Sequence, residues 1–282
     1  MNYAIVTNAD TGFGRELALS LAKRGNVVLI TTIDEAIGEK LLEEIRYKAR
    51  SKSVLYHPLD LSSQKSIRKF VSDYRYNVKQ LDYLIFNDSI EFLKTKKRQY
   101  TADDIEHNWA EYHMGPVIMS GLLLAMLKES PDARIIISLP ESVFANRHQK
   151  VNLEDAEFRN SKYNLMHAYH QAKLAEIFFI QYLAEHINET NIILNGISIP
   201  NLKIPKDHLK KIGLGVRLHN RFATGPKKAS HTVLFALTCS RKKLVTGSIL
   251  SLHRKNRRLN PYLKDVEIKD QVMTLTRKYI IT

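Results

Sequence analysis

Short apolar runs alternate with longer segments in which apolar positions recur every three or four residues, from the first residues almost to the end of the chain. Residues 3–7, 27–30, 53–56, 83–86, 134–137, 192–195 and 248–251 read as strands, each apolar on both faces and rich in Val, Ile and Leu. Between them, residues 14–24, 39–49, 63–74, 103–127 and 164–186 carry the helical period. Buried strands that alternate with helices belong to a parallel sheet covered on both sides. Right-handed crossovers make such a sheet doubly wound and place its ligand site beyond the carboxyl ends of the strands. The expectation is one α/β domain over residues 1–282, with about seven strands and helices on both faces, and no linker or internal repeat.

Composition narrows this picture. A chain of 282 residues suits one large domain, and 44% hydrophobic with 26% charged residues is ordinary for a soluble protein. Cys239 is the sole cysteine, so no disulfide forms within the chain and a reducing compartment is the natural reading. The apolar runs at 117–127 and 177–183 are too short to cross a bilayer. A cytoplasmic protein is expected. The net charge of +14 is concentrated in residues 202–259, where fifteen Lys and Arg face one acid, Asp207. A solvated rim accounts for such a segment, and so does contact with an anionic membrane surface, an acidic partner or a phosphorylated ligand. Nucleic acid is disfavoured, because no binding module accompanies the charge. The eleven histidines form no ligand cluster of the HExxH kind, so no metal is expected.

The turn after the first strand reads Thr7-Asn8-Ala9-Asp10-Thr11-Gly12-Phe13-Gly14 and runs into a helix. Glycines there let a pyrophosphate approach the backbone at the positive end of the helix. The loop resembles the T-G-x-x-x-G-x-G turn of the short-chain dehydrogenase/reductase family, with Asn8 in place of the first glycine. Asn tolerates positive φ, so the turn survives, although its side chain adds bulk. Asp60-Leu61 resembles the family's adenine-contacting pair, and residues 81–89 resemble its L-D-x-L-V-N-N-A-G segment, with Asn87 kept and Phe86 and Asp88 substituted. Residues 103–115, 134–142 and 169–175 are similar to the retinol dehydrogenase and WW-domain oxidoreductase branch. The resemblance implies a Rossmann-type fold, NAD or NADP as cofactor, and a small lipophilic substrate such as a retinoid-like or steroid-like alcohol or carbonyl. Cofactor contacts are then expected from Thr7, Asp10, Gly12, Phe13, Gly14, Asp34, Asp60, Leu61, Asn87, Tyr169, Lys173 and Pro200. The branch usually places an arginine for the NADP 2′-phosphate where Ile33 stands here; Asp34 either bonds the NAD ribose or caps the next helix.

Tyr169 and Lys173 match the family's acid/base tyrosine and its lysine, one turn apart on one helix face. In the family the lysine favours tyrosinate and anchors the nicotinamide ribose. The partners depart from the pattern. The serine that polarises the substrate carbonyl aligns with Pro140, leaving Ser138 and Ser142 as substitutes, and a helix asparagine aligns with Tyr112. The Pro-Gly turn after the sixth strand is Pro200-Asn201. His167 and His170 flank Tyr169, one expected to be exposed and one to line the cleft, while His219 and His231 are assigned to the cover over the substrate. Two readings stay open: an oxidoreductase of the family, and an inactive relative that keeps the fold for binding or scaffolding. The apolar surplus of helices 103–127 and 164–186 is compatible with a homodimer, the arrangement those helices mediate in many family members.

Overall fold

The computed structural model describes residues 1–88, 97–145, 148–203 and 223–280. Its seven strands are β1 (Tyr3–Val6), β2 (Val27–Thr32), β3 (Val54–Pro58), β4 (Tyr83–Phe86), β5 (Ala133–Pro140), β6 (Ile192–Ile199) and β7 (Ile249–Leu250). They lie in the order β3-β2-β1-β4-β5-β6-β7, and each pairing is parallel. The doubly wound, Rossmann-type sheet expected from the strand pattern is the one that forms. Its strand order reverses between β1 and β4, which opens a crevice at their carboxyl ends.

Eight helices cover the sheet: α1 (Gly12–Ala22), α2 (Glu35–Ala49), α3 (Gln64–Asn77), α4 (His107–Glu129), α5 (Glu141–Ala145), α6 (Leu165–His186), α7 (Pro226–Thr238) and α8 (Val266–Lys278), among the described residues. Several starts are fixed by polar caps, with Thr11, Asp34, Ser63, Asn164 and Asp265 each accepting a backbone N–H of the first turn. The period of two splits the core by face. Ile135, Ile137 and Leu139 of β5 pack with α3, α4, α6 and α8, whereas Ile136 packs with α1, α2 and α7.

Besides the short α5, two longer helices were not expected. α7 lies inside the basic 202–259 segment, yet buries Ala229, Val233, Leu234, Ala236 and Leu237 against α1 and the sheet. That part of the segment is core with a charged rim. Lys206, Lys210, Lys211, Arg217, His219 and Arg221 lie outside the described residues. His231 is exposed on the outer face of α7 beside Arg24 and Arg254, so it does not cover a substrate. α8 packs along α6 and α4: Val272 and Met273 join that core, Lys269 pairs with Glu185 at 2.5 Å, and His113 Nε2 meets Thr276 Oγ1 at 2.7 Å. The apolar surplus of α4 and α6 is thus met largely within one chain, and a dimer on that face would compete with α8. One described helix, α4, is long and apolar enough to cross a membrane, contrary to the run-length reading; 67% of its apolar window is buried against the rest of the protein.

Candidate active site

The site assembles at the carboxyl edge of the sheet. Asn8, the residue after Thr7, holds φ at +47°, the left-handed turn that the family's glycine supplies. Its side chain is buried and donates from Nδ2 to the Asn87 carbonyl at 3.0 Å, so its bulk is turned toward β4. Asn87 answers, donating from its own Nδ2 to the Asn8 carbonyl (2.8 Å) and to Thr11 Oγ1 (2.7 Å), while its N–H donates to Thr7 Oγ1 (3.0 Å). Gly14 is required by this knot: a Cβ there would lie 2.6 Å from Asn87 Nδ2, 2.8 Å from Asn8 O and 2.9 Å from Ala9 Cα. Gly12 is looser, meeting only Pro226 at 3.4 Å.

The next residue reaches the chemistry. Asp88 Oδ2 accepts the Tyr169 hydroxyl at 2.8 Å, and Oδ1 lies 2.5 Å from Lys173 Nζ. Lys173 is 1% exposed and also contacts Glu176 Oε2 at 2.5 Å and the Ser138 carbonyl at 3.1 Å. The Tyr112 ring, held by a wide π-type turn at Ala110–Met114 within α4, packs edge-on against Tyr169 at 5.1 Å and beneath the Lys173 ammonium at 5.2 Å. Burial and the Asp88 carboxylate raise the Tyr169 phenol well above its ordinary value. Burial pulls Lys173 down, but the charges of Asp88 and Glu176 outweigh it and keep the ammonium protonated. Burial pushes Glu176 up to about 8, against the pull of Lys173.

A family model for short chain dehydrogenases matches residues 2–144. The chain belongs to the short-chain dehydrogenase family. It is 36% identical over 188 residues to retinol dehydrogenase 12 of Bos taurus, an alignment covering 67% of this chain and 57% of that protein. The match thus spans little more than half the length of that relative. Among solved structures, an uncharacterized protein from Mycobacterium Paratuberculosis superposes with a TM-score of 0.75 at 21% identity, over 99% of this chain and 93% of that one. L-sorbose reductase from Gluconobacter frateurii, complexed with NADPH and L-sorbose, gives a TM-score of 0.68 at 18% identity, over 89% and 94% of the two chains. At those identities the structures establish the fold alone.

The remaining residues expected from the short-chain dehydrogenase pattern line the same edge, with varied commitments. Phe13 is buried in the core, which leaves its main chain for a ligand, and the Phe86 ring is buried on the other face. Asp34 caps α2 through Ile37 N–H at 2.9 Å. Asp60 Oδ1 accepts from Ser62 N–H and hydroxyl at 2.8 and 2.7 Å, and Leu61 packs against Gly115. Pro200 follows β6 and is half-buried. Ser138 brings its carbonyl to Lys173; its side chain shares the parity of Ile136 on β5, on the face away from Tyr169, and its hydroxyl finds no partner among the described residues.

Ser142 is engaged differently. Its hydroxyl donates to His170 Nε2 at 2.9 Å, because Nδ1 donates to Gln149 Oε1 at 3.1 Å and Gln149 is oriented by a bond to the His167 carbonyl at 2.9 Å. Burial and nearby His167 lower His170, so it stays neutral and in this tautomer. His167 is exposed. The sequence reading passes over Glu176 and Gln149. The i,i+3 spacing from Lys173 was the available signal for Glu176; Gln149 left none.

Proposed function

We propose that this chain is a nicotinamide-dinucleotide oxidoreductase that interconverts a small lipophilic alcohol and its carbonyl, with Tyr169 handling the proton at the substrate oxygen. One observation carries the reading: consecutive residues join the two halves of the site. Asn87 is knotted to the glycine turn, and Asp88 bridges Tyr169 and Lys173. A ligand lying on that turn and reaching across β4 meets the phenol and the ammonium. Retinol dehydrogenase 12 as a relative supports the substrate class.

The turn suits the pyrophosphate of such a cofactor. Thr7, Asp10, Gly12, Phe13 and Gly14 surround the start of α1, while Asp60 and Leu61, the pair that resembles the family's adenine contact, follow β3 and Asn87 follows β4. Pro226 touches Gly12, which brings the exposed Lys227 and Lys228 to the same edge and favours an anionic ligand. When bound, the dinucleotide supplies or accepts the hydride. Lys173 and Tyr169 are the family's ribose anchors, but both are engaged by Asp88. Ser142, freed from His170, is the substitute donor to the substrate oxygen.

The tip of β2 favours NAD over NADP. Ile33 is 48% exposed there, and Asp34 and Glu35 follow, so a 2′-phosphate at that tip would meet two acids where the branch places an arginine. Nicotinamide fluorescence titration is expected to give saturable binding, with NADH tighter than NADPH on the order of tenfold, about one charge-assisted contact. No saturation by either at millimolar concentration ends the oxidoreductase reading; tighter NADPH reverses the preference. The exposed bases Lys242, Lys243, Arg254, Lys255 and Arg258 support peripheral contact with anionic membranes, which salt-insensitive or absent liposome co-sedimentation would remove.

A further inference from the structure

The Lys173 ammonium has three N–H donors, and each has an acceptor: Asp88 Oδ1 at 2.5 Å, Glu176 Oε2 at 2.5 Å and the Ser138 carbonyl at 3.1 Å. The Tyr169 hydroxyl has one proton, and it goes to Asp88 Oδ2 at 2.8 Å. The resemblance assigns the ammonium to the nicotinamide ribose and counts Tyr169 among the cofactor contacts, so the ribose hydroxyls would need donors that the protein has already spent on its own carboxylate. Of the acceptors, Glu176 is 1% exposed on the same helix and Ser138 O is main chain, whereas the Asp88 side chain is 22% exposed at the mouth of the site. Asp88 is therefore the acceptor able to leave into water.

We propose that Asp88 is a built-in competitor for the cofactor: its two carboxylate oxygens take the phenol and ammonium that a ribose diol would take, so the dinucleotide binds only by displacing them. The inference rests on the cofactor reading above and deepens it, making Asp88 the residue that sets affinity at the nicotinamide end. The position is the one where the family segment carries alanine, which has no such oxygens. Displacement leaves Lys173 in contact with Glu176, which ionises more readily once the Asp88 charge has gone, so the buried ammonium is not abandoned. Because the penalty is local, a ligand that ends at the diphosphate does not incur it. ADP, which lacks the second ribose, is therefore the control.

The test compares NADH and ADP binding to the full chain and to Asp88→Ala by calorimetry and nicotinamide fluorescence, with thermal melting to establish folding. NADH is expected to tighten at least tenfold in Asp88→Ala, while ADP changes less than twofold. If Asp88→Ala does not fold, Asp88→Asn serves, since it keeps the shape and loses the ionic attraction to Lys173; a gain of about threefold or more for NADH alone is then expected. NADH affinity that is unchanged or weaker while ADP still binds overturns the inference and leaves the cofactor reading standing. Equal tightening of both ligands also overturns it, since removal of a negative charge near any anion would do that. Failure of both proteins to bind either ligand brings down the cofactor reading and the inference together.

Discussion

Tyr169→Phe is expected to lower turnover by about 100- to 10,000-fold while leaving the protein folded, the range for removal of a positioned acid or base. The fold tolerates the change because the ring keeps its edge-on contact with Tyr112, and the lost hydroxyl partner, Asp88, is partly open to water. Direction matters as well. In the free protein burial and the Asp88 charge hold the phenol protonated well above its ordinary range, the opposite of the family's lysine-favoured tyrosinate, and burial persists when the dinucleotide displaces Asp88. The site is therefore poised to donate a proton to a carbonyl oxygen. Its reducing rate is expected to stay flat across neutral and mildly alkaline pH, with no fall from titration of Tyr169. The oxidising direction needs the phenol to shed its proton, and burial opposes that. Steady-state rates in both directions for the two proteins check this. Activity retained in Tyr169→Phe would exclude the phenol as the proton-transfer group.

How much of this was legible depended on how far apart the partners are in the chain. The strands are continuous apolar runs, so their existence and parallel pairing followed from pattern alone, and the errors lie at their ends. β5 and β6 run to Pro140 and Ile199 because Leu139, Ile197 and Ile199 continue the buried apolar pattern beyond Ser138 and Gly196 and the two strands stay paired. α8 keeps Lys269, Val272, Met273 and Thr276 on one buried face, a clear helical stripe, but the lysine and threonine in it read as polar. α7 was obscured by the charge run around it. The Tyr169–Lys173 pair was legible because it is local, one helical turn. Asp88 stood out as an acid where a small residue belongs, yet nothing near it in sequence says that it reaches residue 169, 81 positions away. Likewise Asn8 looked like an obstruction to a ligand. Only the strand opposite, which offers the Asn87 carbonyl, decides that its side chain turns inward.

Lys173→Met is expected to destabilise the protein in a pH-dependent way, because Lys173 contacts two carboxylates, Asp88 and Glu176. Removing one partner of a buried ion pair typically costs about 3–5 kcal/mol, since the charge left behind cannot hydrate. Asp88 can turn to water; Glu176, 1% exposed, cannot. Glu176 escapes only by taking a proton. Its folded value, near 8, lies above that of an unfolded glutamate at about 4.3. The stability linked to this carboxyl is accordingly full below the unfolded value and is lost as pH climbs through about 8. Without the ammonium the folded value rises further, so the loss continues to higher pH in the mutant. The gap in melting temperature between the two proteins should be wider near pH 9 than near pH 6, by the equivalent of up to about 1.4 kcal/mol at one unit above the wild-type value, and should keep growing at higher pH. Lys173→Met/Glu176→Leu, which replaces the pair with apolar groups of similar size, should recover most of the loss and flatten the pH dependence. Thermal melts of the three proteins at both pH values decide it. A gap that does not change with pH, or a double mutant no more stable than the single one, would mean that Glu176 is not the buried charge that Lys173 holds in place.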